Sequence, residues 1–304
     1  MKNFFLINED FENTRLDRWF RKNVHDAPQS LIEKNIRKGN IKVNNKKCKS
    51  SYKLINNDKV FVKNIQFVQN KTKKKQTKYL PTKSDLLSSS SIFIENNENF
   101  VVINKPSGIA VQAGTKSRKN ILDILKGTNE FKDSLPFSVH RIDKETTGIL
   151  IVAKNRKYAQ LFTSLFRLRK IHKTYLAVAI GELENAKGTL IDELLYYEGD
   201  EKIKSKAITH YKLIDTNSNY SLLNLNPETG RKHQLRKQLL INGHPIFGDT
   251  KYRFNKNLYS KKSHLMLHAY KINFSIAGVK YNFTAQPPSS FMNFLNEKYL
   301  KISW

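Results

Sequence analysis

The chain has 304 residues, 39% of them hydrophobic and 11% aromatic, enough for one sizeable core plus a small module and too apolar for a chain disordered throughout. Its 54 basic residues against 26 acidic ones leave a formal charge of +28, a field that attracts a polyanion and repels a basic partner, so nucleic acid leads the candidate partners. Cys48 is the single cysteine, which excludes an intramolecular disulfide and a thiolate-rich metal site and suits a reducing compartment.

In chain order, the opening MKNFFLINEDFENTRLDRWF places Phe4, Phe5, Leu6 and Ile7 directly before acidic residues, without the longer apolar core and cleavage site of a signal peptide. No stretch approaches the roughly 20 apolar residues of a membrane span, so a soluble, cytoplasmic protein is expected. TRLDRWFRKNV predicts an amphipathic helix with Leu16, Trp19 and Phe20 on one face. SLIEKNIRKG predicts a second, capped by Ser30, ended by Gly39 and exposing Lys34, Arg37 and Lys38. The short alternating runs IKVNN and DKVFVK predict a small sheet. A solvated charged face accounts for either helix alone; two basic helices followed by a hairpin form a more specific pattern. Residues 67–90, with a dense lysine run and then serines, predict a linker. From Ile92 onward strands and helices alternate without a repeat, which predicts one larger α+β domain.

Within that domain VHRIDKETTG, residues 139–148, is a polar loop feeding the apolar run ILIVA, whose character suits a strand covered on both faces. Asp143 then stands at a strand mouth. For an isolated HRxD, a structural ion pair between Arg141 and Asp143, with His140 a satisfied loop histidine, is an equal alternative. Four further segments matter. NFVVINKPSGIAVQA, residues 99–113, predicts a strand, a Pro-Ser-Gly turn beside which Lys105 projects, and a second strand. KTYLAVAIG, residues 173–181, predicts a strand opening near Tyr175. TGRKHQLRKQLLINGHPIFGDTKYR, residues 229–253, predicts a turn, a helix whose N-terminal part carries Arg231, His233 and Arg236, and a Gly-Asp loop. LMLHAYKINF, residues 265–274, predicts a strand with His268 pointing out.

The stretch from Thr14 to Lys63 resembles the S4 RNA-binding domain, through Arg15 to Asp17, Ser30, Ile36 to Asn45, and Asp58 with Val60. That resemblance implies RNA contacts from Arg15, Lys34, Arg37 and Lys38, since RNA helices are met largely through phosphate, 2′-hydroxyl and shape. The segments beyond residue 92 together resemble the RluA-type RNA pseudouridine synthases, and with the S4 module in front the RluC-like synthases of large-subunit (23S) ribosomal RNA. The resemblance implies an S4-like domain at 1–66, a linker at 67–90 and a catalytic domain at 91–304 with a mixed, largely antiparallel sheet. It implies an isomerase that breaks the bond from ribose to N1 of uracil, rotates the base and rejoins it through C5, using no metal and no cofactor; a monomer is expected, with nothing in the sequence bearing on oligomeric state. Asp143 falls on the family's catalytic aspartate and Tyr175 on the tyrosine that packs on the flipped base. Arg141 would fill the vacated stack, with His140 beside it, and Arg231 or Arg236 would form the salt bridge to the aspartate. Ile142, Thr147 and Lys232 are mild departures from the usual Leu, Ser and Thr, and INFSIAG lacks the His-Pro often found after that strand.

The chemistry agrees. Glycosidic cleavage needs an ionised carboxylate near the sugar, as nucleophile on C1′ or base on C2′, and a free aspartate with pKa about 3.9 is ionised at neutral pH. Flipping a uridine costs a few kcal/mol, offset when a ring receives the base and a side chain fills the gap. His264 and His268 are four apart, but strand alternation would not join them as a helix would, and His233, His244 and His268 are read as packing or RNA-facing groups rather than ligands or acid-base catalysts. No dinucleotide or P-loop motif is present. Two rivals remain: the same reaction on transfer RNA or other ribosomal sites, and a noncatalytic S4 protein that binds ribosomes during assembly.

Overall fold

The computed structural model describes residues 4–63, 79–82, 84–86, 90–113, 119–198, 201–254 and 264–302. Two compact units divide the chain, Met1–Thr77 and Lys78–Trp304. Most of the expected linker at 67–90 lies outside the described residues.

The first unit runs β1 (Phe4–Leu6), α1 (Leu16–Asn23), α2 (Gln29–Lys38), β2 (Ile41–Val43) and β3 (Lys59–Val62), its sheet ordered β1-β3-β2 with antiparallel pairs. Leu16, Trp19 and Phe20 of α1 meet Ile32 and Ile36 of α2 over Ile41, Val43 and Val60, so the apolar stripes at helical spacing become the core. One boundary differs from expectation. The cap of helix α2 is Pro28, two residues before Ser30, and no side chain caps it. The Pro28 carbonyl accepts from Leu31 and Ile32 instead, and the fixed φ of proline suits a helix start, so Ser30 sits inside the first turn. Gly39 ends the helix with φ +77°, as a left-handed C-cap requires. The edge strand β1 is too short to show an alternation.

The second unit is built on a ten-stranded sheet. Its strands are β4 (Phe93–Asn96), β5 (Phe100–Lys105), β6 (Phe137–Ser138), β7 (Thr147–Ala153), β8 (His172–Ile180), β9 (Lys187–Glu198), β10 (Glu201–Asn217), β11 (Tyr220–Pro227), β12 (Leu267–Ile276) and β13 (Val279–Thr284). The helices are α3 (Ile121–Leu125), α4 (Arg156–Arg167), α5 (Gln234–Ile241) and α6 (Ser289–Glu297). Sheet order is β4-β5-β7-β12-β8-β11-β10-β9, with β13 on β12 and β6 on β7. Only β7 and β12 pair in parallel among these, so the sheet is mixed and largely antiparallel.

All of β7 is buried, because the sheet is covered on both faces here. Ile149, Ile151 and Ala153 pack with Phe162 of α4, while Leu150 and Val152 pack with Ile121, Ile124 and Leu125 of α3. Alternate residues therefore go to opposite faces and every one meets a helix, which is why the run is unbroken by polar residues. Asn155 caps α4 by accepting from the Tyr158 N–H at 2.9 Å, a contact of about 1 kcal/mol. The strand expected after the Pro-Ser-Gly turn is absent from the described residues; Ala110 forms one isolated bridge with Asn120.

Where β7 starts, Gly148 lies against Ala269 of β12 with φ +103°. A Cβ there would stand 2.2 Å from the Ala269 carbonyl oxygen and 2.7 Å from its nitrogen. Both atoms are backbone and cannot turn aside. Gly148→Ala is therefore expected to lower stability by about 3 kcal/mol or more, through backbone strain and parting of the two strands. Urea unfolding followed by tryptophan-independent far-UV dichroism measures it, and a midpoint equal to wild type would refute the account.

Candidate active site

Three parts of the second unit converge on one cleft of about 670 Å³: the loop before β7, the start of β8, and the turn that leads from β11 into α5. In the loop, Ile142 is buried in the core while Arg141 is exposed. Just after them the backbone turns, Thr146 N–H donating to the Asp143 carbonyl at 3.2 Å, and Asp143 presents its side chain to the cleft, 20% exposed.

Arg236 holds two carboxylates. Its Nε and Nη2 donate to Asp249 at 2.6 and 2.8 Å, and its Nη1 donates to Asp143 Oδ2 at 3.2 Å. Burial works against the guanidinium charge, but the hydrogen bonds and attraction of Asp249, then of Asp143, outweigh it and raise the pKa. Arg236 is thus the arginine on the aspartate. Arg231 stays exposed on the cleft wall and donates its Nε to the Lys206 carbonyl at 3.2 Å.

The helix carries only one of the three residues expected on it, because α5 begins at Gln234 and His233 is its cap, left-handed at φ 55°. Gln234 organises this turn by accepting from the Arg231 N–H at 3.0 Å and the Thr229 hydroxyl at 2.7 Å. His233, read as a packing or RNA-facing group, has Nε2 3.7 Å from Asp143 Oδ1. Its Nδ1 shares a hydrogen with the Tyr252 hydroxyl at 2.9 Å. Burial lowers its pKa, against the pull of Asp143.

Tyr175 lines the cleft, half-buried. Burial first, and then the negative charge of Asp143, push its phenol well up, so it stays protonated. His140 also lines the cleft, its ring stacked on Phe166 at 4.5 Å. Its Nε2 accepts the Ile151 N–H at 2.8 Å. Burial, and then the Lys173 charge, lower its pKa to about 3, so the ring is neutral with its proton on Nδ1. One ring nitrogen is therefore committed to fastening the loop to β7. Arg141 has no hydrogen-bond or ionic partner among the described residues.

Two side chains expected to point outward are buried. Lys105 is 0% exposed and donates to the carbonyls of Pro106 at 2.7 Å, Ile109 at 2.9 Å and Lys144 at 3.0 Å. Burial lowers its pKa to about 7, with Glu145 and Asp143 pulling the other way. Gly108 N–H and the Ser107 hydroxyl also donate to Lys144 and Glu145 carbonyls. The Pro-Ser-Gly turn thus clamps the chain just after Asp143. His268 is likewise fully buried. Its Nε2 donates to the Ala285 carbonyl at 2.9 Å, which leaves Nδ1 to accept from the Thr147 hydroxyl at 2.8 Å. Burial lowers its pKa to about 4. His264 is exposed, and among the described residues no group of three or more His, Cys, Asp or Glu could hold a metal ion.

In the first unit Lys34, Arg37 and Lys38 are exposed on α2. Arg15, its side chain 40% exposed, makes a bidentate pair with buried Asp17 at 3.1 and 2.6 Å, and Asp17 also accepts from Gln29 at 2.8 Å. The Arg-Leu-Asp triplet thereby ties α1 to α2.

A carboxylate braced by a buried arginine stands beside a tyrosine in a cleft rimmed by arginines and lysines, an arrangement suited to an anionic substrate. The sequence profile of the RNA pseudouridylate synthase family matches residues 99–240. A ribosomal large subunit pseudouridine synthase C of Rickettsia bellii is 34% identical, over 91% of this chain and 96% of that one. The protein of that name from Buchnera aphidicola (subsp. Schizaphis graminum) is 32% identical, over 95% of each. The solved structure of human RNA pseudouridylate synthase domain containing 4 superposes with TM-score 0.62 and 25% identity, over 71% of this chain and 96% of that one. The chain belongs to the RNA pseudouridylate synthase family. Among the described residues no helix is long and apolar enough to cross a membrane.

Proposed function

We propose that this enzyme converts particular uridines of large-subunit (23S) ribosomal RNA to pseudouridine, with Asp143 as the reacting group. The observation that carries the reading is the Asp143 carboxylate, partly exposed in the cleft and bonded to Arg236 at 3.2 Å. The relatives named as large-subunit synthases supply the substrate class.

A uridine drawn out of the RNA enters the cleft with its base against Tyr175, while the exposed Arg141 occupies the gap left in the stack. Asp143 attacks C1′ or takes a proton from C2′, and the N1–C1′ bond breaks with its electron pair leaving on uracil. The base turns and C5 bonds to C1′, which displaces the Asp143 carboxylate on the first route or returns the proton from Asp143 to C2′ on the second; the C5 proton is then lost as N1 gains one, so atoms and charge balance. Arg236 keeps the carboxylate aimed, and buried Asp249 keeps Arg236 aimed. The loop clamp through Lys105 and the His140 bond to β7 fix the remaining freedom of the loop, since small misplacements of a reacting group cost rate steeply.

The unit before residue 67 serves as an S4-like RNA-binding domain, residues 67–90 as its tether, and residues 91–304 as the catalytic domain. Lys34, Arg37 and Lys38 on the outer face of α2 meet RNA phosphates, with Arg15 holding that surface in shape. The enzyme is read as a cytoplasmic monomer. Deleting the gene and mapping pseudouridine across ribosomal and transfer RNA tests the reading. Particular large-subunit sites should disappear and return with the wild-type gene. Loss confined to transfer RNA would move the substrate, and no loss anywhere would sink the proposal.

A further inference from the structure

The wall of the cleft that carries Tyr175 holds a charge the steps above do not use. Lys173 lies two residues before Tyr175 on β8, so both side chains share one face of the strand, and both line the cleft. Arg167 and Arg169, at the end of α4 and in the turn beyond it, line the same cleft. The turn is fixed: Arg169 is left-handed at φ 58°, with its N–H on the Phe166 carbonyl at 3.2 Å and the Lys170 N–H on Leu165 at 2.9 Å. Among the described residues Lys173, Arg167 and Arg169 have no anionic or hydrogen-bonding partner for their side chains.

The two carboxylates that line the cleft are engaged elsewhere. Asp143 is on Arg236, and Glu228 is 2.7 Å from His210 Nε2. Lys173 is therefore a half-buried ammonium with a like charge for a neighbour and no counterion. Burial, and then the charge of Arg169, lower its pKa. Such an arrangement is unfavourable in the free protein and is relieved when an anion arrives. A lysine is a compact point charge with three donors, suited to a single phosphate oxygen, and an arginine beside it adds a planar fork.

We propose that Lys173 and Arg169 form the seat of an RNA phosphodiester on the Tyr175 wall, holding the strand while the uridine occupies the cleft, with Arg167 extending the charge outward. The inference rests on the function proposed above and deepens it, by assigning the anion-binding residues nearest the base. Lys173 and Arg169 act as positioning residues and take no part in bond making.

The test measures KM and kcat of wild type, Lys173→Gln, Lys173→Arg and Arg169→Gln on an unmodified transcript of large-subunit ribosomal RNA, across a series of potassium chloride concentrations. Lys173→Gln is expected to raise KM on the order of tenfold, as loss of one charge-assisted hydrogen bond does, with the loss falling in KM rather than kcat. The plot of log(1/KM) against log salt should flatten by about 0.7 for one lost contact to single-stranded RNA. Lys173→Arg keeps the charge and should recover the wild-type slope. If Lys173→Gln fails to fold, as far-UV dichroism would show, Arg169→Gln carries the same slope test. A wild-type slope in the folded glutamine variants, whatever their KM, would overturn the inference, because contacts to uncharged base atoms release no counterions. Absence of turnover by wild type on this transcript would instead count against the functional reading itself.

Discussion

Asp143→Asn is expected to abolish pseudouridine formation, lowering kcat/KM by about 10⁴-fold or more, which is over about 5 kcal/mol of transition-state stabilisation. The substitution keeps the shape of the side chain and removes only its charge, and a neutral amide can neither add to C1′ nor take a proton from C2′. Folding should survive. Arg236 keeps its two hydrogen bonds to Asp249 at 2.6 and 2.8 Å, and an amide oxygen can still accept from Nη1. Affinity for RNA should also change little, because most of it comes from phosphate contacts made elsewhere on the protein. Release of tritium from C5-labelled uridine in RNA reads the chemistry, and filter binding reads the affinity. A variant within tenfold of wild type in release would remove Asp143 from the chemistry; parallel loss of both would mean that the residue serves binding or folding.

How far the site could be read from residues alone depended on whether a residue's partner was near in the chain. The loop ahead of β7 was legible because an unbroken apolar run implies cover on both faces, and the loop that feeds such a strand opens at its mouth. Arg141, Asp143 and Tyr175 fall in one cleft; the family resemblance, and not the spacing of residues, joined Tyr175 to the other two, since a strand tyrosine by itself reads as core. The choice between Arg231 and Arg236 was not legible, since it turns on the left-handed His233, which delays the helix and sends the two arginines different ways. A histidine with positive φ leaves no mark in the pattern of apolar residues.

Buried polar groups were misread for a related reason. Lys105 looks like a turn lysine until the carbonyl of Lys144, 39 positions on, is brought to it, and His268 looks exposed until Thr147 and Ala285 arrive at either ring nitrogen. A lysine in an apolar run announces solvent unless long-range contacts supply acceptors. Asp249 belongs to the same class. A Gly-Asp loop suggests a turn, and nothing local says that the carboxylate is aimed at an arginine on the preceding helix.

That carboxylate is the basis of the second large effect. Asp249 is 0% exposed and accepts from Arg236 twice, from the Lys251 N–H at 2.8 Å and from the Tyr252 N–H at 2.9 Å. Asp249→Asn removes its charge while Arg236 stays buried, and breaking a buried pair from one side costs about 3–5 kcal/mol, because the remaining charge is left uncompensated. Two expectations follow from the geometry. Stability should fall by about 3 kcal/mol, measured by urea unfolding. Activity should fall about 100-fold even at temperatures where the variant is fully folded, because the guanidinium that aims Asp143 has lost the anchor that aims it. The defect should sit in kcat, with KM and the salt dependence of binding near wild type, since no RNA phosphate is touched. An Asp249→Asn variant with lowered stability but unimpaired kcat would show that Arg236 is held in place by Asp143 and the Tyr252 ring, 5.1 Å from its guanidinium carbon, and that the chain of two carboxylates across one arginine stabilises the fold without steering the reaction.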